Sequence, residues 1–248
     1  MQDQFLEAMG ITRWRLRSPA LQETVVEQAD LKQSVTEEKR VEVVVEEIPK
    51  QPEQVDISCL NLAELKNNIA NCEKCGLHKS RAQTVFGEGS QTADWLIIGD
   101  APGTEEDNLG QPFVGEIGQL LTAMLLAMGL KREQVFVTNL TKCHPAQGHK
   151  LQADEIATCG QYLRRQIELI KPTIIIAAGK VAAQSILKTE SSMSEMREQN
   201  FEYENSSIPV VVTYHPAYLL RKPSEKRKAW YDLKAAMNLF AKLSESKK

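Results

Sequence analysis

The sequence predicts an α/β fold, a mostly parallel sheet covered by helices on both faces, in the larger C-terminal part of a 248-residue chain. Three observations predict it. Short apolar runs recur from residue 95 onward, each long enough for one buried strand. Stretches with a helical repeat separate them, and a glycine or proline closes most of those stretches. Strands and helices that alternate in this way build a parallel sheet with helices on both sides.

The elements follow in order. Residues 60–71 read as a short amphipathic helix. Residues 95–98 (WLII) are a first strand ending at Gly99, and residues 117–128 a helix that stops at Gly129. Residues 135–138 form a second strand and 154–170 a helix closed by Pro172. Residues 173–178 give a third strand, followed by Gly179 and a helix over 180–187; residues 210–213 give a fourth, and 224–243 a final helix.

The first 57 residues differ in kind. Residues 22–57 hold ten acidic against four basic side chains, are rich in Glu, Gln and Val, and end near Pro49 and Pro52, the composition of a flexible linker. Residues 1–21 carry Phe5, Met9, Ile11, Trp14 and Leu16 among Arg13, Arg15 and Arg17. Tryptophan and arginine are the residue types that most often anchor interfaces, so this reads as a docking peptide on a tether; a terminal helix packed on its own domain is the alternative. Residues 58–248 form the third region, the folded domain.

Net charge of −3 argues against a nucleic-acid partner only until it is divided along the chain. Residues 58–248 hold 23 basic against 21 acidic side chains, so the domain permits a DNA-binding face. The start, MQDQFLEAMG, lacks the basic and apolar regions of a signal peptide, and no apolar run is long enough to span a bilayer. With cysteines spaced for a metal, this points to a reducing cytoplasm, with the protein nucleoid-associated if DNA is its target.

Four of the five cysteines make that metal pattern. Cys72 and Cys75 form a Cys-x2-Cys pair; Cys143 and Cys159, fifteen residues apart in the sense of Cys-x15-Cys, form a second, and polar residues surround them. Four soft sulfurs suit zinc or an iron–sulfur cluster, and the spacing alone favours zinc. Cys59 stands outside the pattern.

Ligands of open α/β sheets bind at the carboxyl ends of the strands, which singles out three segments. Gly99-Asp100-Ala101-Pro102-Gly103 follows the first strand and lets backbone approach a ligand closely. Asn139, at the end of the second strand, offers the paired amide donor and acceptor that read a base edge. His215, after the fourth strand, is followed by Leu219, Leu220, Arg221 and Lys222, an apolar wedge beside two cations.

Residues 72–240 resemble the family 4 uracil-DNA glycosylases, the iron–sulfur type. The resemblance is carried by CEKCGLHKSRAQTVFGEG, GDAPGTEED, GQPFVGEIGQLL, TNLTKCHP, the Cys-x15-Cys spacing and HPAYLLR, in that order. It implies a three-layer α/β/α fold and a [4Fe–4S] cluster on Cys72, Cys75, Cys143 and Cys159 in place of zinc. It further implies that Phe113 stacks on an extruded uracil beside Gly99 and Ala101, and that Asn139 reads its edge. His215 would stabilise charge on the departing base, and Leu219-Leu220-Arg221 would insert into the DNA. Two positions depart from the family. Asp100 stands where Glu is usual in the GDAPG motif, and Glu116 where a basic residue is common.

A second resemblance covers only the arm. Met9-Gly10-Ile11-Thr12-Arg13-Trp14-Arg15-Leu16-Arg17-Ser18-Pro19 is similar to the N-terminal peptide of the psi subunit of bacterial DNA polymerase III, which implies docking on a clamp loader through Ile11, Trp14, Leu16 and Arg17. A flexible linker of this length would span about 30–35 Å root-mean-square, enough to let a tethered domain search nearby DNA. Two readings therefore stand: an active uracil-DNA glycosylase tethered to the replisome, or a psi-like accessory subunit that keeps the glycosylase fold as a scaffold.

Overall fold

The structure, a computed structural model, describes residues 56–246 apart from 198 and 205. These residues belong to one compact unit, Pro52–Lys248. The docking peptide expected at residues 1–21, and the linker expected at 22–57 up to Val55, lie outside the described residues.

Six strands form one sheet: β1 (Glu88–Gly89), β2 (Trp95–Gly99), β3 (Val135–Asn139), β4 (Ile174–Ala178), β5 (Phe201–Glu202) and β6 (Pro209–Thr213). Their order is β1-β3-β2-β4-β6-β5. The four inner strands run parallel, with Gly99 opposite Asn139 and Ala178 opposite Thr213, and the two edge strands pair antiparallel. Carboxyl ends of all four parallel strands therefore meet along one edge.

Eight α-helices accompany the sheet among the described residues: α1 (Leu62–Ala70), α2 (Thr104–Leu109), α3 (Gly115–Ala127), α4 (Ala153–Ile170), α5 (Lys180–Leu187), α6 (Met193–Arg197), α7 (Pro216–Arg221) and α8 (Lys226–Ser246). Alternation along the strands sorts the core into two layers. Leu96, Ile98, Ile175, Ala177, Val210 and Val212 face one side and pack with Leu163 and Ile167 of α4 and Ala182 and Ala183 of α5. Trp95, Ile97, Val135, Val137, Ile174 and Ile176 face the other, against Leu121 and Leu125 of α3 and Leu233 and Ala236 of α8. This is the three-layer α/β/α arrangement.

The expected long elements are present with small boundary changes. The first helix starts two residues late, because Asn61 caps it: its side chain accepts from the Ala63 and Glu64 amides while Glu64 accepts from the Asn61 amide. The last begins at Lys226, after a 3-10 turn over Pro223–Glu225. The sequence reading lacks β1, β5, α2, α6 and α7, all of two to six residues. Such short elements are too short for either pattern to repeat. Among the described residues no helix is long and apolar enough to cross a membrane.

Candidate active site

Three of the four parallel strands deliver a polar group to the shared edge. Asn139 ends β3, Asp100 follows β2, and His215 lies two residues beyond β6. The fourth, β4, delivers Gly179, whose φ of +116° starts α5. A side chain at Gly179 would meet the Asp100 carboxylate oxygens at 2.7 and 2.9 Å, so the glycine clears space for that group. Gly99 does the same on the other flank, where a Cβ would run into the Phe113 ring at 2.6 Å and the Asn139 carbonyl oxygen. The Phe113 ring and the Asn139 side-chain oxygen thus both flank Gly99, and Ala101 lies half-buried in the loop after it.

Asn139 is fully buried at 0% exposure, yet neither its amide nitrogen nor its side-chain oxygen has a hydrogen-bond partner. An unsatisfied buried polar atom costs about 1–3 kcal/mol. Two on one side chain, beside an aromatic ring, describe a donor–acceptor pair kept for a ligand.

Phe113 adopts a left-handed backbone conformation, φ +52°, uncommon for a bulky residue and costing of order 1–3 kcal/mol. The surroundings hold it there. Its amide donates to Glu106, and Arg132 donates to the carbonyl of Pro112 at 2.5 Å. Gly118 of α3 packs so closely on the Phe113 carbonyl that no larger residue fits. The His215 ring stacks beside Phe113, with centroids 5.2 Å apart and planes 26° apart.

His215 is the N-cap of α7, and its Nδ1 accepts from the Ala217 amide at 3.2 Å. With Nδ1 accepting, the neutral ring carries its proton on Nε2. Burial, assisted by the charge on Arg221, pushes its pKa down to about 4, so the imidazole is neutral at ordinary pH. Asp100 accepts from the Ala182 amide at 2.7 Å, in the first turn of α5. Burial raises its pKa to about 6 against the lowering effect of that bond.

The wedge is only partly at the surface. Leu219 is 1% exposed and faces inward from α7. The sequence pattern assigns no helix to 215–222; Pro216 at the first helical position and the His215 cap make one over Pro216–Arg221, and its turn directs Leu219 to the core. Leu220 is half-buried, while Arg221 and Lys222 are exposed. Behind them runs a ladder of contacts: Lys222 over the Tyr218 ring at 5.7 Å, Tyr218 stacked on Tyr214 at 5.0 Å, and Arg197 over Tyr214 at 4.6 Å. Arg197 is paired with Asp232 at 2.7 Å. Glu116 is exposed in the first turn of α3, a favourable place for an acid near the helix dipole.

Cys72, Cys75, Cys143 and Cys159 line one small pocket with Ile69, Arg81, Lys142, Thr158 and Tyr162. Two pairs separated by 67 intervening residues are thus brought together. Among the described residues, no three His, Cys, Asp or Glu side chains are spaced to hold a single metal ion. The donors stand around a cavity rather than on a point. Arg81 donates to the Cys143 sulfur at 3.0 Å and the Lys142 amide to the Cys159 sulfur at 3.3 Å. Burial raises the Cys159 thiol to about 12, with Lys142 acting against it. Cys59 is exposed and absent from this pocket.

Several participants escape the sequence reading. Lys142 is 1% exposed and spends its ammonium on the Thr138 hydroxyl (2.6 Å) and the Asn139 carbonyl (2.7 Å), joining the cysteine pocket to the end of β3. Burial drives its pKa down to about 7, opposed by Cys159 and Cys143. His144 reaches the Pro102 carbonyl at 2.7 Å. Glu106 and Asp107 are buried acids in a run, Glu105-Glu106-Asp107, that on pattern alone is a solvated helix start.

The profile of the Uracil DNA glycosylase superfamily matches residues 86–234. A type-4 uracil-DNA glycosylase of Archaeoglobus fulgidus is 37% identical over 188 residues, covering 73% of this chain and 94% of that protein. Those of Saccharolobus solfataricus and Thermotoga maritima are 40% identical over 170 residues and 36% over 163, covering 66% and 65% of this chain and 79% and 84% of theirs. With such a match over more than half its length, the chain belongs to the uracil-DNA glycosylase superfamily.

Proposed function

We propose that the protein is a uracil-DNA glycosylase, a hydrolase that cleaves the N-glycosidic bond of uracil in DNA for base excision repair. The observation that carries this reading is Asn139, a buried side-chain amide with both polar atoms unpartnered, flanking Gly99 together with the Phe113 ring. A base edge with one acceptor and one donor satisfies both.

The chemistry follows from the placement. A base inside a duplex is unreachable, so it must be extruded at a cost of a few kcal/mol and read in a pocket. Phe113 supplies the face it stacks on. As the glycosidic bond breaks, the electron pair passes to uracil and charge develops on its O2. The Nε2 proton of neutral His215 is available to that oxygen, and a preorganised donor of this kind lowers the barrier by about 3 kcal/mol. The sugar left behind is cationic. Asp100, ionised above about pH 6, supplies the anion on that side, and water adds to the sugar carbon, its proton going to the departed uracil anion. Arg221 and Lys222 are the cations that contact the phosphates, with Leu220 the remaining apolar contact.

We assign a [4Fe–4S] cluster to Cys72, Cys75, Cys143 and Cys159. The fit is supported by four sulfurs lining one pocket. Such a cluster would take one thiolate per iron and would tie residues 72–75 to the loop after β3 and to α4.

Release of free uracil from a uracil-containing single strand tests the function. Uracil and an alkali-labile site are expected; no release from protein with its cluster assembled would refute it. The pH profile should show Asp100. Its pKa is raised, so the anion persists above about 6 and is lost as pH falls through that value. Excision should decline below about pH 6, and Asp100→Asn should remove that limb; an unchanged limb in the variant would assign it elsewhere.

Clamp-loader docking through Ile11, Trp14, Leu16 and Arg17 is a separate proposal resting on the arm's sequence. Deleting residues 1–21 should abolish capture of clamp-loader subunits while leaving uracil release at the wild-type rate. Retained capture would end it. Loss of capture by a chain that releases no uracil would instead favour the psi-like scaffold.

A further inference from the structure

Two adjacent carboxylates in α2 have no place in the chemistry above. Glu106 and Asp107 are 8% and 5% exposed. A buried acid without cationic partners needs donors elsewhere, and here every donor is a backbone amide. Glu106 accepts from Gly103 through Oε2 at 2.5 Å and from Phe113 through Oε1. Asp107 accepts from Ala82 at 2.7 Å and Gln83 at 3.3 Å. One acid therefore grips the two ends of the loop between β2 and the stacking ring. Its neighbour grips the segment just after Arg81, the residue that reaches the Cys143 sulfur at 3.0 Å and the Cys72 carbonyl at 2.8 Å.

The consequence lies at Phe113. Its left-handed backbone is unfavourable for a bulky residue and persists only where neighbours over-determine it. Of those neighbours, Glu106 alone holds the Phe113 amide itself, with a charged acceptor, while the Arg132 and Gly118 contacts act on carbonyl groups. We infer that Glu106 is a positioning residue for base recognition: it clamps Phe113 in the conformation that presents its ring to the uracil, and Asp107 anchors the same helix to the cysteine-bearing segment.

The inference rests on the glycosylase reading for its effect on rate, but not for its effect on structure, and the test separates the two. Glu106→Gln keeps the size and one acceptor oxygen but turns an NH2 toward one amide donor. In the full chain, the variant should lose roughly 10- to 100-fold in single-turnover uracil release, the size expected for a charged acceptor lost from a buried pair. In a Phe113→Ala background the same substitution should cost less than about threefold, since residues acting through one another are non-additive. Binding to abasic-site DNA, which needs no stacking ring, should be unchanged. Hydrogen exchange followed by mass spectrometry should show faster exchange over residues 103–113 in Glu106→Gln and over 81–84 in Asp107→Asn. Equal losses in both backgrounds, or unchanged exchange over 103–113, would overturn the assignment. If Glu106→Gln fails to fold, Glu106→Asp, which keeps the charge but shortens its reach, is read by the same comparisons. A wild type that releases no uracil would refute the glycosylase reading, and the exchange result alone would then decide the clamp.

Discussion

Asn139→Ala should reduce uracil excision more than any other single substitution, by roughly 10³–10⁵ in kcat/KM, the range over which a site built to hydrogen-bond a substrate rejects one that cannot pair. The direction follows from burial. Wild-type Asn139 bears two unsatisfied atoms at 0% exposure, so the free protein is strained in proportion to what the base supplies. Alanine removes that strain along with the contact. The variant should therefore be as stable as the wild type, or more so, while losing activity, a combination a structural asparagine would not give. Thermal unfolding alongside single-turnover kinetics checks both halves.

His215→Ala should lower kcat by about 10²–10³ with little change in DNA binding, as expected for a donor that acts when charge appears on the leaving base. His215 also caps α7, through Nδ1 and the Ala217 amide. Part of any loss could come from fraying of that helix and from disturbance of Arg221 and Lys222. His215→Asn separates the effects, because asparagine caps helices well but offers a weaker, differently placed donor. Affinity for abasic DNA should be retained in His215→Asn while the rate stays low. Because burial holds the wild-type imidazole neutral down to about pH 4, its protonation should not shape the profile between pH 5 and 8.

Much of the site was legible because strand ends are legible. Gly99, Asn139 and His215 each follow a short apolar run, and a parallel sheet sends such positions to one edge. The convergence of the cysteines was legible from their types and spacing. What the sequence concealed was the state of polar groups that the fold buries. Glu106 and Asp107 read as solvated acids because their partners are backbone amides, which carry no side-chain signal. Lys142 reads as a surface cation, and only the packing of β3 against α4 shows its ammonium enclosed. The inward turn of Leu219 was not legible because a six-residue helix is too short for its period to repeat.

Asp100 stands where the resemblance expects glutamate. The structure places its carboxylate on the Ala182 amide, with Gly179 leaving room for it, at the strand edge where the proposed mechanism needs an anion.

The most direct test of the account compares single-turnover uracil release by the wild type and Asn139→Ala, side by side on one uracil-containing single strand, with abasic-DNA affinity as the reference. The account predicts rapid release by the wild type, near-complete loss in the variant and equal affinity for the abasic strand. Equal rates in the two proteins would contradict it, because the buried amide would then have no part in reading the base.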